Sequence, residues 1–159
     1  MASSSGVGAA EVRTWITERR LEPEELVTKL GTRSDGAVLL FVGRVREMNA
    51  GRRVTRVGYE AYREMAEAEL AAIVREVAEE SPVGAIAAVH RVGVLTLGEV
   101  SVAVAVAAPH RDACYAASRA VIEAVKKRLP IWKREEYADG SVAWVGSEGI
   151  RQESSGVSG

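Results

Sequence analysis

The spacing of apolar side chains divides the 159-residue chain into alternating strand-like and helix-like runs. Two stretches carry helical spacing. In "REMAEAELAAIVREVAEES" (63–81), Met65, Ala68, Leu70, Ile73, Val74 and Val77 recur with charges between them, and Pro82 and Gly84 end the pattern. "RDACYAASRAVIEAVKKRL" (111–129) is a second amphipathic helix, bounded by Pro109 and Pro130. Residues 10–20 are expected as a short helix. "LEPEELVTKLG" is another, with Pro23 near its start and Gly31 as a stop. The strand-like runs are "GAVLLFVGRVRE" (36–47), "VTRVGYEAY" (54–62), "AIAAVHRVGVL" (85–95), "VSVAVAVAA" (100–108), "IWKREEY" (131–137) and "SVAWV" (141–145). The first two are expected to pair as an antiparallel hairpin, with "GRR" (51–53) as the turn between them. The run 100–108 is apolar or small at nearly every position, as in a central strand covered on both faces. Strand alternation puts Lys133 and Glu135 on one face and sends Trp132 to the other, into the core. The class expected is α+β, a mostly antiparallel sheet with two long helices packed on it. Residues 1–9 and 150–159 are expected as flexible ends around a single domain, 10–149.

Composition narrows the function. Twenty-one basic residues face 22 acidic ones, so the net charge is −1 and no general affinity for nucleic acid is expected. The one cysteine, Cys114, excludes an intrachain disulfide and fits a reducing cytosol. There is no secretory signal pattern and no apolar run of about 18 residues, so a cytoplasmic protein that avoids membranes is expected. Two histidines and one cysteine supply a transition-metal site poorly, and no GxxxxGK[ST], GxGxxG or HExxH motif is present. No metal or cofactor is expected.

Positive charge is nevertheless clustered. "KKRLPIWKREEY" (126–137) puts Lys126 and Lys127 at a helix end, where cations suit the dipole. Lys133 follows a proline-forced reversal that can bring it near Lys126 around one pocket, with Glu135 placed to orient it. Two lysines so arranged suit a carboxylate, a phosphate or a developing oxyanion. In "PHRDA" (109–113), His110 and Arg111 stand between a strand end and a helix start, a common anion site. The plainer alternative is a helix cap and a solvated arginine. In "GRVRE" (43–47), Arg44 and Arg46 lie two apart on one strand face, either for an anion or simply in solvent. Cys114 in the first turn of its helix and His90 in mid-strand are expected to be structural.

Taken in order, "DGAVLLFVGRVR" (35–46), "YEAY" (59–62), "HRVGVLTLGEVSVAV" (90–104), "PHRDACYAAS" (109–118), "VKKRLPIWKRE" (125–135) and "WV" (144–145) form a series. The series resembles the large, catalytic subunits of molybdopterin synthase over roughly residues 20–148. The resemblance implies an α/β-hammerhead-like fold and a sulfurtransferase. The sulfur comes from the C-terminal Gly-Gly thiocarboxylate of a small ubiquitin-like sulfur-carrier subunit. It goes to cyclic pyranopterin monophosphate, forming the dithiolene of molybdopterin. Such subunits form a homodimer with one small subunit at each end, a heterotetramer overall, and their pockets can draw residues from both large subunits. Carried over by motif, Lys126 and Lys133 are the catalytic lysines. Arg46, Phe41, His110 and Arg111 bind substrate, with Glu135 and Arg44 in support. The chain departs from the family pattern at three places. Position 44 is arginine where lysine is common, and Ile122 stands where a methionine is usual. The late arginine has no clear match, with Glu148 near its place and Arg151 three residues on. Alternatives are a non-catalytic docking module for a ubiquitin-like partner and a generic binder of a phosphorylated ligand.

Overall fold

The computed structural model describes residues 8–145 and 151–154. In chain order the elements are β1 (Glu11–Thr17), α1 (Glu24–Thr28), β2 (Ala37–Arg44), β3 (Met48–Asn49), β4 (Arg52–Ala61), α2 (Arg63–Glu80) and β5 (Ala85–Arg91). Then come β6 (Gly93–Thr96), β7 (Val100–Ala108), α3 (Arg111–Arg128), β8 (Ile131–Tyr137), β9 (Val142–Val145) and β10 (Arg151–Ser154). They build two sheets. One has the order β1-β5-β7-β2; the other runs β10-β9-β8-β4-β3, with β6 also paired to β4.

The first sheet explains why residues 85–108 are so apolar. Its strands alternate between two buried faces. Ile86, Ala88, Val104, Val106 and Ala108 meet Leu70, Ile73 and Val74 of α2 and Ala117 and Val121 of α3. Ala85, Ala87, Val89, Ala103, Ala105 and Ala107 meet Leu21, Leu26 and Leu30, in and around α1. The small residues on this second face let a one-turn helix lie close. Each fully buried Leu or Ile contributes about 1.5–3 kcal/mol, so the α2–α3 layer is the main stabilising contact. The second sheet has its own smaller core of Val45, Val54, Val57, Leu95, Tyr137 and Ala143.

The long helices, the central placement of β7 and the α+β class match the reading of the sequence. Several local expectations do not hold. Residues 10–20 form no helix: Glu11–Thr17 is a strand lying parallel to β5. Its period is two, with Val12 and Ile16 packed on the α2 side, and β-branched residues favour that conformation. The run 36–47 does not form a hairpin with 54–62. β2 pairs with β7, and β4 pairs with β8, β6 and the short β3. Chain direction changes after Arg44, where Val45 is pinned by backbone bonds to Glu99 and Gly98. The tight turn is Ala50-Gly51, so Arg52 and Arg53 already belong to β4. The run 85–95 is two strands in different sheets, divided at Gly93, whose φ is +102°. Arg151–Ser154, inside the stretch expected as a tail, pairs with β9.

Candidate active site

Helix α3 organises the candidate residues, because its two ends carry different ones. At its start, β7 delivers the chain through Pro109 to His110, which caps the helix in an extended conformation, and Arg111 opens the first turn. The His110 side chain makes no capping hydrogen bond to the first turn, so the first helical N–H groups are available to an anion. A cavity of about 470 Å³ lies here, lined by Gly36, Ala37, Pro109, His110, Arg111 and Asp112. Gly36 shapes it: a Cβ at this position would come 2.8 Å from the Pro109 carbonyl oxygen. His110 and Arg111 are both exposed.

The last turn of α3 holds Lys126, Lys127 and Arg128. Arg128 is committed elsewhere. Its guanidinium bonds Glu69 at 2.7 Å and Glu76 at 2.5 Å, tying α3 to α2. Lys126 is exposed and makes no side-chain bond among the described residues. At about 1.5 Å rise per residue, Lys126 stands about 22 Å along the helix axis from Arg111. One copy of the chain therefore does not bring Lys126 and the His110–Arg111 pair into one pocket.

Lys133 lies beyond the Pro130 break, on the inner face of β8. Alternation puts Ile131, Lys133, Glu135 and Tyr137 on that face, opposite Val57 and Tyr59 of β4. Lys133 Nζ is 2.9 Å from Glu135 Oε1, and Glu135 is 1% exposed. Burial pushes the Glu135 carboxyl up, but hydrogen bonds from Lys133, Tyr137 and Asn49 outweigh it and hold the group below its ordinary value. The Asn49 amide donates to both carboxylate oxygens, at 2.8 and 2.9 Å, and the Tyr137 hydroxyl donates at 2.6 Å. Arg46 joins the same group, donating to Asn49 Oδ1 at 3.3 Å. Arg46, Lys133 and Glu135 are thus brought together. Asn49 and Tyr137, which belong to none of the charged motifs of the sequence, are what link and brace them. Tyr137 is itself covered by Arg52, whose guanidinium carbon is 3.7 Å from the ring centroid.

The remaining candidates are spread along β2 and α3. Phe41 is 37% exposed and pairs with Val104, which puts it on the face covered by α3. Arg44 ends β2 beside a register shift and is exposed. Since β2 stops there, strand alternation does not place Arg46 on the face of Arg44. Trp132 is a second correction. It does not enter the core but lies on the outer face of β8, 38% exposed, edge-on to Tyr62 with ring centroids 5.3 Å apart. Ile122, at the position of the expected methionine, packs against the α2–α3 core. Cys114 is buried, with its thiol pushed up by that burial. His90 is buried beside Tyr59, and desolvation lowers its pKa to about 4. Glu148 lies outside the described residues, and of Arg151 only its place in β10 is described. Among the described residues no group of three or more His, Cys, Asp or Glu side chains is arranged to hold a metal. No helix there is long and apolar enough to cross a membrane.

Comparison with known proteins gives concordant matches. A family model described as "MoaE protein" matches residues 16–128. The molybdopterin synthase catalytic subunit of Bacillus subtilis is 41% identical over 133 residues, covering 84% of this chain and 84% of that one. The crystal structure of molybdopterin synthase from Staphylococcus aureus superposes with a TM-score of 0.78 at 37% identity, covering 83% of this chain and 96% of that one. A complex of subunits 1 and 2 of the molybdopterin-converting factor from Helicobacter pylori shares the fold, with a TM-score of 0.62 at 17% identity and 92% of each chain covered.

Proposed function

Because the chain belongs to the MoaE family, we propose that Lys126 and Lys133 are the catalytic residues of its sulfur transfer. Its activity is that of a molybdopterin synthase catalytic subunit, a sulfur-transferring enzyme of molybdenum cofactor biosynthesis. The sulfur donor in this reading is the C-terminal thiocarboxylate of a small ubiquitin-like subunit, and the acceptor is cyclic pyranopterin monophosphate in the cytoplasm. The observation that carries the reading is the cation arrangement. A buried carboxylate fixes Lys133, while Lys126 at the helix end and Arg111 at the helix start have no side-chain partner among the described residues.

The thiocarboxylate sulfur attacks a side-chain carbon of the pterin and displaces an oxygen substituent, which joins pterin and tail as a thioester. Water then adds to the acyl carbon, and the tetrahedral oxyanion collapses with cleavage of the acyl C–S bond, leaving the sulfur on the pterin and a carboxylate on the tail. Lys126 stabilises the charge of that oxyanion, since a fixed cation close to a developing oxyanion lowers the barrier most where water is excluded. Lys133, anchored by Glu135, orients the tail or assists proton transfer, with Arg46 beside it. His110, Arg111 and the free N–H groups of α3 take the substrate phosphate, as a helix start suits an anion. Phe41 and Arg44 line the approach along β2.

The separation of about 22 Å along α3 supports a site completed by a second copy of the chain, with His110 and Arg111 of one protomer serving the lysines of the other. Two such copies and two small subunits make a heterotetramer. Mixing inactive variants tests this. If Lys133→Ala and Arg111→Ala subunits are each inactive, random mixing of a twofold dimer leaves one intact site in half of the dimers, about a quarter of wild-type activity. No recovery on mixing means that each protomer works alone. A docking module without chemistry is the second reading. It is favoured if the wild type binds the small subunit but forms no product.

A further inference from the structure

Asn49 uses both ends of its side-chain amide. The nitrogen donates to both oxygens of Glu135, and the oxygen accepts from Arg46 Nη2. These neighbours fix the orientation of the amide, because only the NH₂ end suits a carboxylate and only the C=O end suits a guanidinium. The backbone around it is unusual. Asn49 ends β3, and the next two residues, Ala50 and Gly51, have φ of 49° and 78°. Such a connection matches the twist of a two-residue hairpin but is unfavourable for alanine. Left-handed non-glycine residues persist where the surroundings over-determine them. Here the turn aims Asn49 at a carboxylate eighty-six residues away in sequence.

We propose that Asn49 is a positioning residue for sulfur transfer, its amide joining the Arg46 guanidinium to the Glu135–Lys133 pair so that both cations keep one arrangement. The inference rests on the reading of Lys133 as catalytic. Asn49 acts through its two bonded partners, Glu135 and Arg46. Lys133 is 35% exposed, so an ammonium released from Glu135 has solvent to swing into. Arg46 has no other side-chain partner among the described residues and loses its tether when the amide is removed. Glu135 would keep Tyr137, which holds only Oε2.

The test uses the full chain assembled with thiocarboxylated small subunit. Asn49→Ala lowers the single-turnover rate about 10- to 100-fold, the range for hydrogen bonds to a charged group, with tail binding changed less than about threefold. Asn49→Asp keeps the size and the Arg46 contact but sets a second carboxylate against Glu135, and loses at least as much. Adding Asn49→Ala to Lys133→Ala costs clearly less than Asn49→Ala costs in the wild type, because the share that acts through Lys133 is already lost and only the Arg46 share remains. A second readout does not depend on turnover. Acetylation of Lys133 by acetic anhydride, mapped by mass spectrometry, is about 3- to 10-fold faster in Asn49→Ala as the ion pair loosens. Unchanged acetylation together with losses that multiply in the double variant would overturn the proposal and make Asn49 a structural residue. If the wild type makes no product but acetylation still rises, the positioning holds and the sulfur-transfer reading fails.

Discussion

Replacing Glu135 with glutamine removes one buried charge and almost no volume. Oε1 receives Lys133 at 2.9 Å and Asn49 at 2.8 Å; Oε2 receives Asn49 at 2.9 Å and Tyr137 at 2.6 Å. Glutamine replaces one oxygen with an NH₂ group. The Tyr137 hydroxyl can rotate to accept from it, but Asn49 Nδ2 then loses one acceptor and faces a donor. A lost hydrogen bond to a charged group costs about 1.5–3 kcal/mol. The ion pair with Lys133 adds at most about 1 kcal/mol, because the lysine is partly solvated. The sum is about 1.5–4 kcal/mol, or a fall in melting temperature of roughly 3–16 °C for a chain of this length. The loss depends on pH in a defined direction. Glu135 is held below its ordinary value, so its contribution is present above the ordinary carboxylate range and disappears as pH falls through the folded value. Melting curves of wild type and Glu135→Gln, recorded from neutral to acid pH, should therefore converge on acidification. A glutamine variant as stable as wild type at neutral pH, or a gap that does not narrow in acid, would refute this account of the network.

Two further outcomes follow from particular contacts. Gly36→Ala places a methyl 2.8 Å from the Pro109 carbonyl oxygen, and backbone on both sides resists relaxation. Substrate affinity measured by calorimetry should fall several-fold, and unchanged affinity would remove this cavity from the site. His90, with a folded pKa of about 4, stays neutral while the unfolded chain takes a proton near pH 6.5. Stability from this group is therefore complete above that value and is lost on acidification towards pH 4, about 2 kcal/mol between pH 7 and 5. Urea titrations of His90→Gln should lose that part of the slope, and an unchanged slope would contradict it.

Periodicity made α2 and α3 legible, and β7 announced its two covered faces through a nearly unbroken apolar run. Strand β1 is hidden in the sequence because Val12, Thr14 and Ile16 share a seven-residue stretch with charges that fit a helix as well. Only its parallel partner β5, far away in sequence, decides between them. The expected hairpin failed for a similar reason. β2 and β4 follow one another along the chain, but β2 finds a better apolar surface on β7, and the chain crosses to the second sheet after Arg44. The charged candidates carry short local patterns, so Lys133 and Glu135 are visible from a spacing of two. Asn49 is not visible, because its meaning depends on contacts across eighty-six residues. Trp132 shows the limit of assigning an aromatic to a core. Alternation gave its face correctly, but that face is the outer one, where Tyr62 covers it only in part.

The central claim is that Lys126 and Lys133 act in sulfur transfer, and a single-turnover assay tests it most directly. The protein is mixed with thiocarboxylated small subunit and cyclic pyranopterin monophosphate, and molybdopterin is followed through its fluorescent oxidation product, with Lys126→Ala and Lys133→Ala run in parallel. The account predicts product from the wild type and a loss of at least about 100-fold in each variant, as for removal of one oxyanion-stabilising group, while both variants stay folded and bind the small subunit. Wild-type rates in either folded variant would contradict it.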